Sequence, residues 1–143
     1  MKIALASDHR GFDAKKRLFP HLKRWGHEVI DFGCESSASC DYVDFAAPAA
    51  RSVAKGENEV AILLEGSGIG MSITANKVHG VRCALCWNEE SARLSRQHND
   101  ANVLSIGERM IPEDFALKIV RIWLDTAFDG GRHEKRVAML NAM

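Results

Sequence analysis

The stretch that decides the fold is Val60-Ala61-Ile62-Leu63-Leu64-Glu65-Gly66-Ser67-Gly68-Ile69-Gly70. It is a short apolar run, then a carboxylate and a glycine loop, and residues 71–78 after it suit a helix. The pattern predicts a strand, a tight turn and a helix whose N-terminus favours an anion above the strand's end. Glu65 is itself an anion there, which is typical of a proton-transfer enzyme with a negatively charged intermediate.

Strand and helix patterns alternate through the rest of the chain. The predicted strands are residues 2–6, 27–32, 60–64, 82–87 and 103–106. The predicted helices are residues 12–25, 44–55, 71–78, 89–98, 112 to about 128, and 132–141. Pro20 is expected to kink the first helix or to end its first half, and Gly26 to stop it. This repetition predicts an α/β fold, with a five-stranded parallel sheet covered by helices on both faces.

Length and charge exclude several classes of protein. The 143 residues fit one domain with a hydrophobic core, and no linker or second domain is visible. Lysine plus arginine equals aspartate plus glutamate at 19 each, which gives no electrostatic reason to expect nucleic acid or an anionic membrane as partner. The N-terminal apolar stretch is too short for a signal peptide or a membrane helix, so we expect a cytoplasmic protein.

The four cysteines do not indicate a cofactor. Cys83 and Cys86 have the CxxC spacing, but they lie in a predicted strand, where positions three apart point to opposite faces. We therefore expect small buried apolar side chains here and not a redox or zinc pair. No other spacing of histidine, cysteine or acidic residues is typical of a metal site, so we expect no metal.

Polar residues follow several strands at the end where such sheets bind ligands. Asp8 and His9 follow the first strand, and Arg109 follows the fifth. The fourth helix ends in His98 and Asn99. We expect these residues to gather with Glu65 at one edge of the sheet. Two of them have structural alternatives, because Asp8 can cap the first helix and His98 can be a satisfied histidine at a helix C-terminus.

The glycine loop favours a small anion over a dinucleotide. Met71 occupies the place of the third glycine of the dinucleotide motif, and the loop follows the third strand where that motif normally follows the first. A second anion-binding candidate is the pair Arg132 and Arg136, which share a helix face at i and i+4. The alternative for that pair is an ordinary solvated helix face.

Four motifs in order along the chain resemble the ribose-5-phosphate isomerase B family, which also includes allose-6-phosphate isomerases and galactose-6-phosphate isomerase subunits. They are Ser7-Asp-His-Arg-Gly-Phe12, Glu65-Gly-Ser-Gly-Ile-Gly-Met-Ser-Ile-Thr-Ala-Asn-Lys77, Ser95-Arg-Gln-His-Asn-Asp100 and Gly130-Gly-Arg-His-Glu-Lys-Arg136. The resemblance implies a Rossmann-like αβα sandwich and an aldose–ketose isomerase that needs no metal or cofactor. It also implies a homodimer, or a tetramer, whose active sites take residues from both subunits.

The resemblance assigns roles to residues by their position in the motifs. His98 would open the sugar ring with Asn99 and Asp8 nearby, and Ser67 would move protons between the sugar oxygens. The enediolate would be held by the backbone N–H groups of the loop, including Gly66, Gly68 and Gly70. The phosphate would be bound by His9, Arg109, Arg132 and Arg136, and Tyr42 would lie beside the substrate. The last helix, residues 132 to about 142, would lie at the dimer contact and the phosphate site.

This chain departs from the family at the catalytic base. Many members have a cysteine in place of Glu65, and others a glutamate in place of Met71; Val43 also replaces the usual proline after Tyr42. One hypothesis is that Glu65 is the base, with ribose 5-phosphate as the expected substrate. Another is that Glu65 sets specificity for a four- or six-carbon sugar phosphate while Asp8 or another group moves the proton. A third is a non-catalytic module that binds anions or nucleotides.

Overall fold

The computed structural model describes residues 1–143 and contains five strands and six helices. The strands are β1 (Lys2–Ser7), β2 (Glu28–Asp31), β3 (Val60–Glu65), β4 (Cys83–Leu85) and β5 (Val103–Gly107). The helices are α1 (Phe12–Arg24), α2 (Val43–Ala54), α3 (Ile69–Asn76), α4 (Glu89–Asn99), α5 (Glu113–Asp125) and α6 (Arg132–Asn141). Every predicted element is present, although β4 and α5 are shorter than expected. None of the six helices has both the length and the apolar sequence that a membrane span requires.

The strands form one sheet in the order β2-β1-β3-β5-β4, and every neighbouring pair is parallel. The central strand, β3, is buried at all six residues, which explains its continuous apolar sequence. In the register, Ser7 lies opposite Leu64, and Glu65 lies opposite Gly107. The ends of β1, β3 and β5 therefore emerge at the same edge, and the predicted parallel sheet is confirmed.

Residues of β3 alternate between two hydrophobic cores, one on each face of the sheet. Ile62 and Leu64 pack in the larger core with side chains of α1, α4 and α5. Ala61 and Leu63 pack in the smaller core with side chains of α2 and α3. Each fully buried large aliphatic side chain contributes about 1.5–3 kcal/mol to folding. Helices cover both faces, so the predicted three-layer sandwich is confirmed.

Side chains along β4 and in the residue after it point alternately to the two faces of the sheet, and this separates the two CxxC cysteines. Cys83 packs against the smaller core, and Cys86 lies in the larger core on the other face of the sheet. Burial raises the pKa of both thiols. The prediction that the two side chains point to opposite faces is confirmed, and neither thiol ionises readily.

Helix α1 runs without interruption through Pro20, so the prediction that Pro20 can end its first half is wrong. A proline inside a helix removes one hydrogen bond and costs roughly 3 kcal/mol or more. The helix continues because Ala14, Leu18 and Leu22 are buried against the sheet on both sides of the proline. Gly26 adopts a φ of +87° just after the helix and stops it, as predicted.

Candidate active site

Three strand ends bring acidic and basic residues to the carboxyl edge of the sheet. Asp8 follows β1, and its N–H donates to a carbonyl at the end of β3 at 3.2 Å. The Glu108 N–H donates to the carbonyl of Glu65 at 2.8 Å, and the Arg109 N–H donates to that of Gly66 at 3.1 Å. These hydrogen bonds hold Asp8, Glu65 and Arg109 on neighbouring strand ends, as the sequence predicts.

Glu65 folds back onto the N-terminus of α3. The residue is 6% exposed, and its Oε1 accepts the Met71 N–H at 2.6 Å. Burial raises the pKa of the Glu65 carboxyl; the Met71 N–H opposes this, the charge of Asp8 reinforces it, and the Gly70 N–H opposes it. Burial has the largest effect, so the net shift is upward and Glu65 becomes a stronger base than an ordinary carboxylate.

The glycine loop keeps three free donors beside this carboxyl group. The N–H groups of Gly66, Ser67 and Gly68 donate to no acceptor in the chain. The next N–H, of Ile69, donates to the Ser67 Oγ at 3.2 Å. Glu65 already accepts hydrogen bonds from later N–H groups of the loop. Only the first three N–H groups of the predicted anion cradle are therefore available to bind an anion.

The loop lies directly on β5, and this contact requires glycine. Gly68 has a φ of +77°, and a Cβ there would lie 2.5 Å from the Leu85 Cδ1 and 2.8 Å from the Gly107 nitrogen. A Cβ on Gly107 would overlap the backbone of Ser67. The Ser105 hydroxyl donates to the Gly68 carbonyl at 2.7 Å. Strand β5 therefore holds the three free N–H groups in place.

His9 follows Asp8 at the carboxyl edge of the sheet, and Tyr42 lies against the glycine loop. The Nδ1 of His9 accepts the Cys40 N–H at 3.2 Å, so in the neutral ring the proton lies on Nε2, which can donate to a ligand. The ring of Tyr42 covers Gly70, where an added Cβ would lie 2.5 Å from it. Tyr42 is thus placed beside the loop, and His9 follows Asp8 at the same edge of the sheet, where the sequence predicts substrate binding.

Two arginines flank Gly66, and one of them was missed by the sequence analysis. A Cβ on Gly66 would lie 3.5 Å from the Arg109 side chain and 3.7 Å from that of Arg10. Arg10 is exposed and its N–H donates to Asp8 Oδ1 at 2.9 Å, as does that of Gly11 at 3.0 Å. The Asp8 Oδ1 thus organises the turn before α1, and its Oδ2 accepts no hydrogen bond from the chain. Its position two residues after Asp8, within the first motif, could have identified Arg10 as a candidate site residue.

His98 and Asn99 lie at the opposite edge of the sheet, so the prediction that they join Glu65 at one edge is wrong for a single chain. Helix α4 begins after the carboxyl end of β4 and ends where β5 begins, at the amino edge. At this amino edge, just before β5, the carbonyl of Asn102 accepts the N–H of Ala61, the second residue of β3, at 3.1 Å. Glu65 is four residues further along β3, which corresponds to about 13 Å.

Helix α6 packs against α4 and adds basic residues to this second edge. The rings of His98 and His133 stack, with centroids 4.3 Å apart and an interplanar angle of 13°. Burial lowers the pKa of His133, and the charges of His98, Arg132 and Arg136 lower it further. Arg132 and Arg136 are exposed on the same helix, as predicted.

Two groups of candidate residues therefore exist in one chain. The carboxyl-edge group consists of Asp8, His9, Tyr42, Glu65, Gly66, Ser67, Gly68, Gly70 and Arg109. The amino-edge group consists of His98, Asn99, Arg132 and Arg136, together with His133, which the sequence analysis did not select. No hydrogen bond, ion pair or ring contact joins the two groups within the chain.

His98, His133 and Asp129 carry possible metal-ligand atoms that lie within 4.8 Å of one another. Imidazole lone pairs lie in the plane of the ring, so those of two stacked, nearly parallel rings lie in separate planes and do not converge on one point. A tetrahedral ion needs converging ligands at about 2.0–2.2 Å. The arrangement therefore favours a stacked histidine pair over a metal centre.

Comparisons with known proteins identify the family of the chain. The sequence profile of the Ribose/Galactose Isomerase family matches residues 3–140. Ribose-5-phosphate isomerase B of Escherichia coli (strain K12) is 46% identical over 142 residues, which cover 99% of this chain and 95% of that protein. The structure of Clostridium thermocellum ribose-5-phosphate isomerase B is similar with a TM-score of 0.97 and 48% identity, covering 99% of this chain and 96% of that one. That of ribose-5-phosphate isomerase B from Mycoplasma genitalium with bound ribulose 5-phosphate is similar with a TM-score of 0.95 and 40% identity, covering 99% and 94%. These matches span the whole chain and confirm the resemblance of the four motifs: the chain belongs to the Ribose/Galactose Isomerase family.

Proposed function

We propose that this chain is an aldose–ketose isomerase that interconverts ribose 5-phosphate and ribulose 5-phosphate. The observation that carries the proposal is a buried carboxyl group of raised pKa beside three free backbone N–H groups, at Glu65. Isomerisation needs a base that removes a proton from C2 and donors that stabilise the resulting oxyanion. The full-length relatives named ribose-5-phosphate isomerase B support the five-carbon substrate.

The proposed reaction moves one proton from C2 to C1 of the open-chain sugar. The free Oε2 of Glu65 takes the C2 proton, the C–H electrons form the C1–C2 double bond, and the aldehyde oxygen becomes negative. The N–H groups of residues 66–68 stabilise this cis-enediolate, and the Ser67 hydroxyl moves a proton from O2 to O1. Glu65 then returns its proton to C1. A positioned base contributes about 100- to 10,000-fold, and one oxyanion donor roughly 3 kcal/mol.

Ring opening and phosphate binding use residues from both groups in this proposal. His98 opens the ring, with Asn99 beside it, and the phosphate lies among His9, Arg109, Arg132 and Arg136. Because the amino-edge group is across the sheet from Glu65, it cannot serve the same substrate within one chain. We therefore propose a homodimer in which each site combines the carboxyl-edge group of one copy with the amino-edge group of the other.

Exposed apolar side chains support this homodimer. Ile69 and Ile73 lie one turn apart on α3, next to the glycine loop, and are 51% and 54% exposed. Met139 and Leu140 lie on α6 with the amino-edge group and are 62% and 45% exposed. An interface that buries both surfaces brings the two groups toward each other and places α6 at the dimer contact and the phosphate site.

The substitution Glu65→Gln tests the assignment of the base. The amide keeps a carbonyl oxygen for the Met71 N–H but accepts no proton at neutral pH, so we expect kcat to fall about 100- to 10,000-fold. The measurement is turnover of ribose 5-phosphate, together with exchange of deuterium from C2-labelled substrate into solvent. Glu90→Gln, an exposed change on α4, is the matched control and should leave both unchanged.

Continued deuterium exchange by the Glu65→Gln enzyme would remove Glu65 as the base and favour its role in specificity, with Asp8 moving the proton. A panel of four- to six-carbon aldose phosphates tests that alternative directly: a clear preference for ribose 5-phosphate, which is the result we expect, would count against it. A thermal-shift screen addresses the non-catalytic alternative: stabilisation by nucleotides, without turnover of any sugar phosphate, would contradict the proposed function.

A further inference from the structure

One arginine outside both candidate groups connects the end of α4 to the end of α6. The Arg82 side chain is 15% exposed, and its Nε donates to the carbonyls of Asn99 at 3.1 Å and Asp100 at 3.0 Å. Its Nη2 donates to the Asp100 carbonyl at 2.8 Å and lies 3.4 Å from that residue's carboxylate. Its Nη1 donates to the Asn141 Oδ1 at 2.6 Å. A single planar group thus holds two helices.

Arg82 contributes to the hydrogen bonding at the end of α4, where Arg96 also donates to the carbonyl of Ala101. The last carbonyls of a helix have no partner within the helix, and they are the negative end of its dipole. After α4 the chain turns at Asp100, which has a φ of 46° and is the one non-glycine residue with positive φ. Arg82 supplies donors and a positive charge to this turn. The last turn of α4, which carries His98 and Asn99, is therefore held from outside the helix.

The end of α6 depends on the same guanidinium. Only His133 and Val137 are buried on this helix. The histidine stack holds its first turn against α4, and the Arg82–Asn141 hydrogen bond holds its last turn. An additional hydrogen bond beyond the helix, between His79 Nδ1 and the carbonyl of the C-terminal residue, does not involve α4.

We infer that Arg82 is a positioning residue for the isomerase reaction, because it sets the placement of His98 relative to Arg132 and Arg136. The inference rests on the proposed function. Ring opening acts at one end of the sugar and phosphate binding at the other, so both engage the substrate only when α4 and α6 keep their relative position. A displacement of about 1 Å can lower the rate by roughly 100-fold.

Substitutions of Arg82 and Asn141 distinguish the contact of Arg82 with α4 from its contact with α6. In Arg82→Lys the charge remains, but an ammonium group cannot span both helices as the guanidinium fork does. We expect kcat/KM for ribose 5-phosphate to fall up to about 100-fold. Asn141→Ala leaves α4 held and frees only α6, so we expect KM to rise with a smaller change in kcat. In Asn141→Asp a carboxylate oxygen accepts the same hydrogen bond, so the wild-type KM should be restored.

The control is His79→Ala, which removes the other hydrogen bond near the C-terminus and should leave kcat and KM unchanged. A second readout does not depend on turnover: NMR titration of His133. Its pKa lies below the ordinary value because it is buried beside His98 and the arginines, so release of α6 should move it upward in Asn141→Ala.

Wild-type kinetics and an unchanged His133 titration in Asn141→Ala would overturn the inference, even if Arg82→Lys failed to fold. Absence of isomerase activity in the wild-type protein would instead contradict the proposed function. In that case the His133 titration still tests whether Arg82 holds α6.

Discussion

Glu65, the proposed catalytic base, is a buried carboxyl group, so its ionisation opposes folding. Burial, with the charge of Asp8, holds its pKa above the ordinary value of 4.5. The folded protein then binds this proton more tightly than the unfolded chain does. The resulting stabilisation is fully present below pH 4.5 and is lost as the pH rises through the folded-state pKa. Above that pH the buried carboxylate lowers the free energy of unfolding.

Glu65→Gln should therefore raise the melting temperature more at pH 8 than at pH 4. The wild-type side chain is largely neutral at pH 4, below its raised pKa, and it carries a buried charge once the pH exceeds that pKa, whereas the variant stays neutral at every pH. Thermal unfolding followed by circular dichroism at the two pH values gives the comparison. Exposed Glu90→Gln should show no such difference, and a Glu65→Gln effect that does not change with pH would contradict the raised pKa.

At the scale of an element, the glycine loop depends on its contact with β5. The loop contributes the free N–H groups, but its own residues make few contacts that would hold them. Gly68 and Gly107 let the two backbones approach so closely that neither position has room for a methyl group. The geometry of the proposed anion cradle therefore depends on the loop and the strand together.

Gly107→Ala should destabilise the protein by about 3 kcal/mol or more, because its methyl group meets backbone that cannot rotate away. It should also lower kcat, because the Ser67 N–H is displaced. Gly80→Ala is the control: it has a positive φ but nothing within 4 Å, so it should cost only about 1–2 kcal/mol of backbone strain. Urea unfolding measures both, and equal costs would show that β5 does not constrain the loop.

At the scale of the whole molecule, the separation of the two groups has a direct consequence for mixed dimers. Glu65→Gln and His98→Asn should each be inactive alone. If the sites are shared as in the proposed homodimer, a dimer that contains one chain of each kind has one site with both changes and one site with neither. A random 1:1 mixture should then recover about a quarter of the wild-type activity.

Coexpression with two affinity tags provides these mixed dimers. Glu65→Gln combined with Ser67→Ala is the control, because both changes remove proton-transfer groups of the carboxyl-edge group and every site would contain one of them. No recovery is expected there. If Glu65→Gln and His98→Asn also failed to complement each other, the shared site would be contradicted.

The fold was predictable because its signals are local. Five apolar strands and the helices between them follow from short periodic patterns, and the order of α/β units favours a parallel sheet. The exception at Pro20 has a non-local cause, since burial of Leu18 and Leu22 outweighs the cost of the proline. The carboxyl-edge group was also predictable, because strand ends in a parallel sheet share an edge.

The sequence by itself determined the α/β architecture, the glycine loop and the family, because each follows from patterns and motifs within short stretches of consecutive residues. Only the tertiary structure decided what Glu65 contacts and where His98 lies. Burial and the Met71 N–H act on Glu65 through the packing of α3, which no local pattern contains. His98 lies at the amino edge because each helix returns the chain across the sheet, so residues adjacent to a strand in sequence need not be near its carboxyl end.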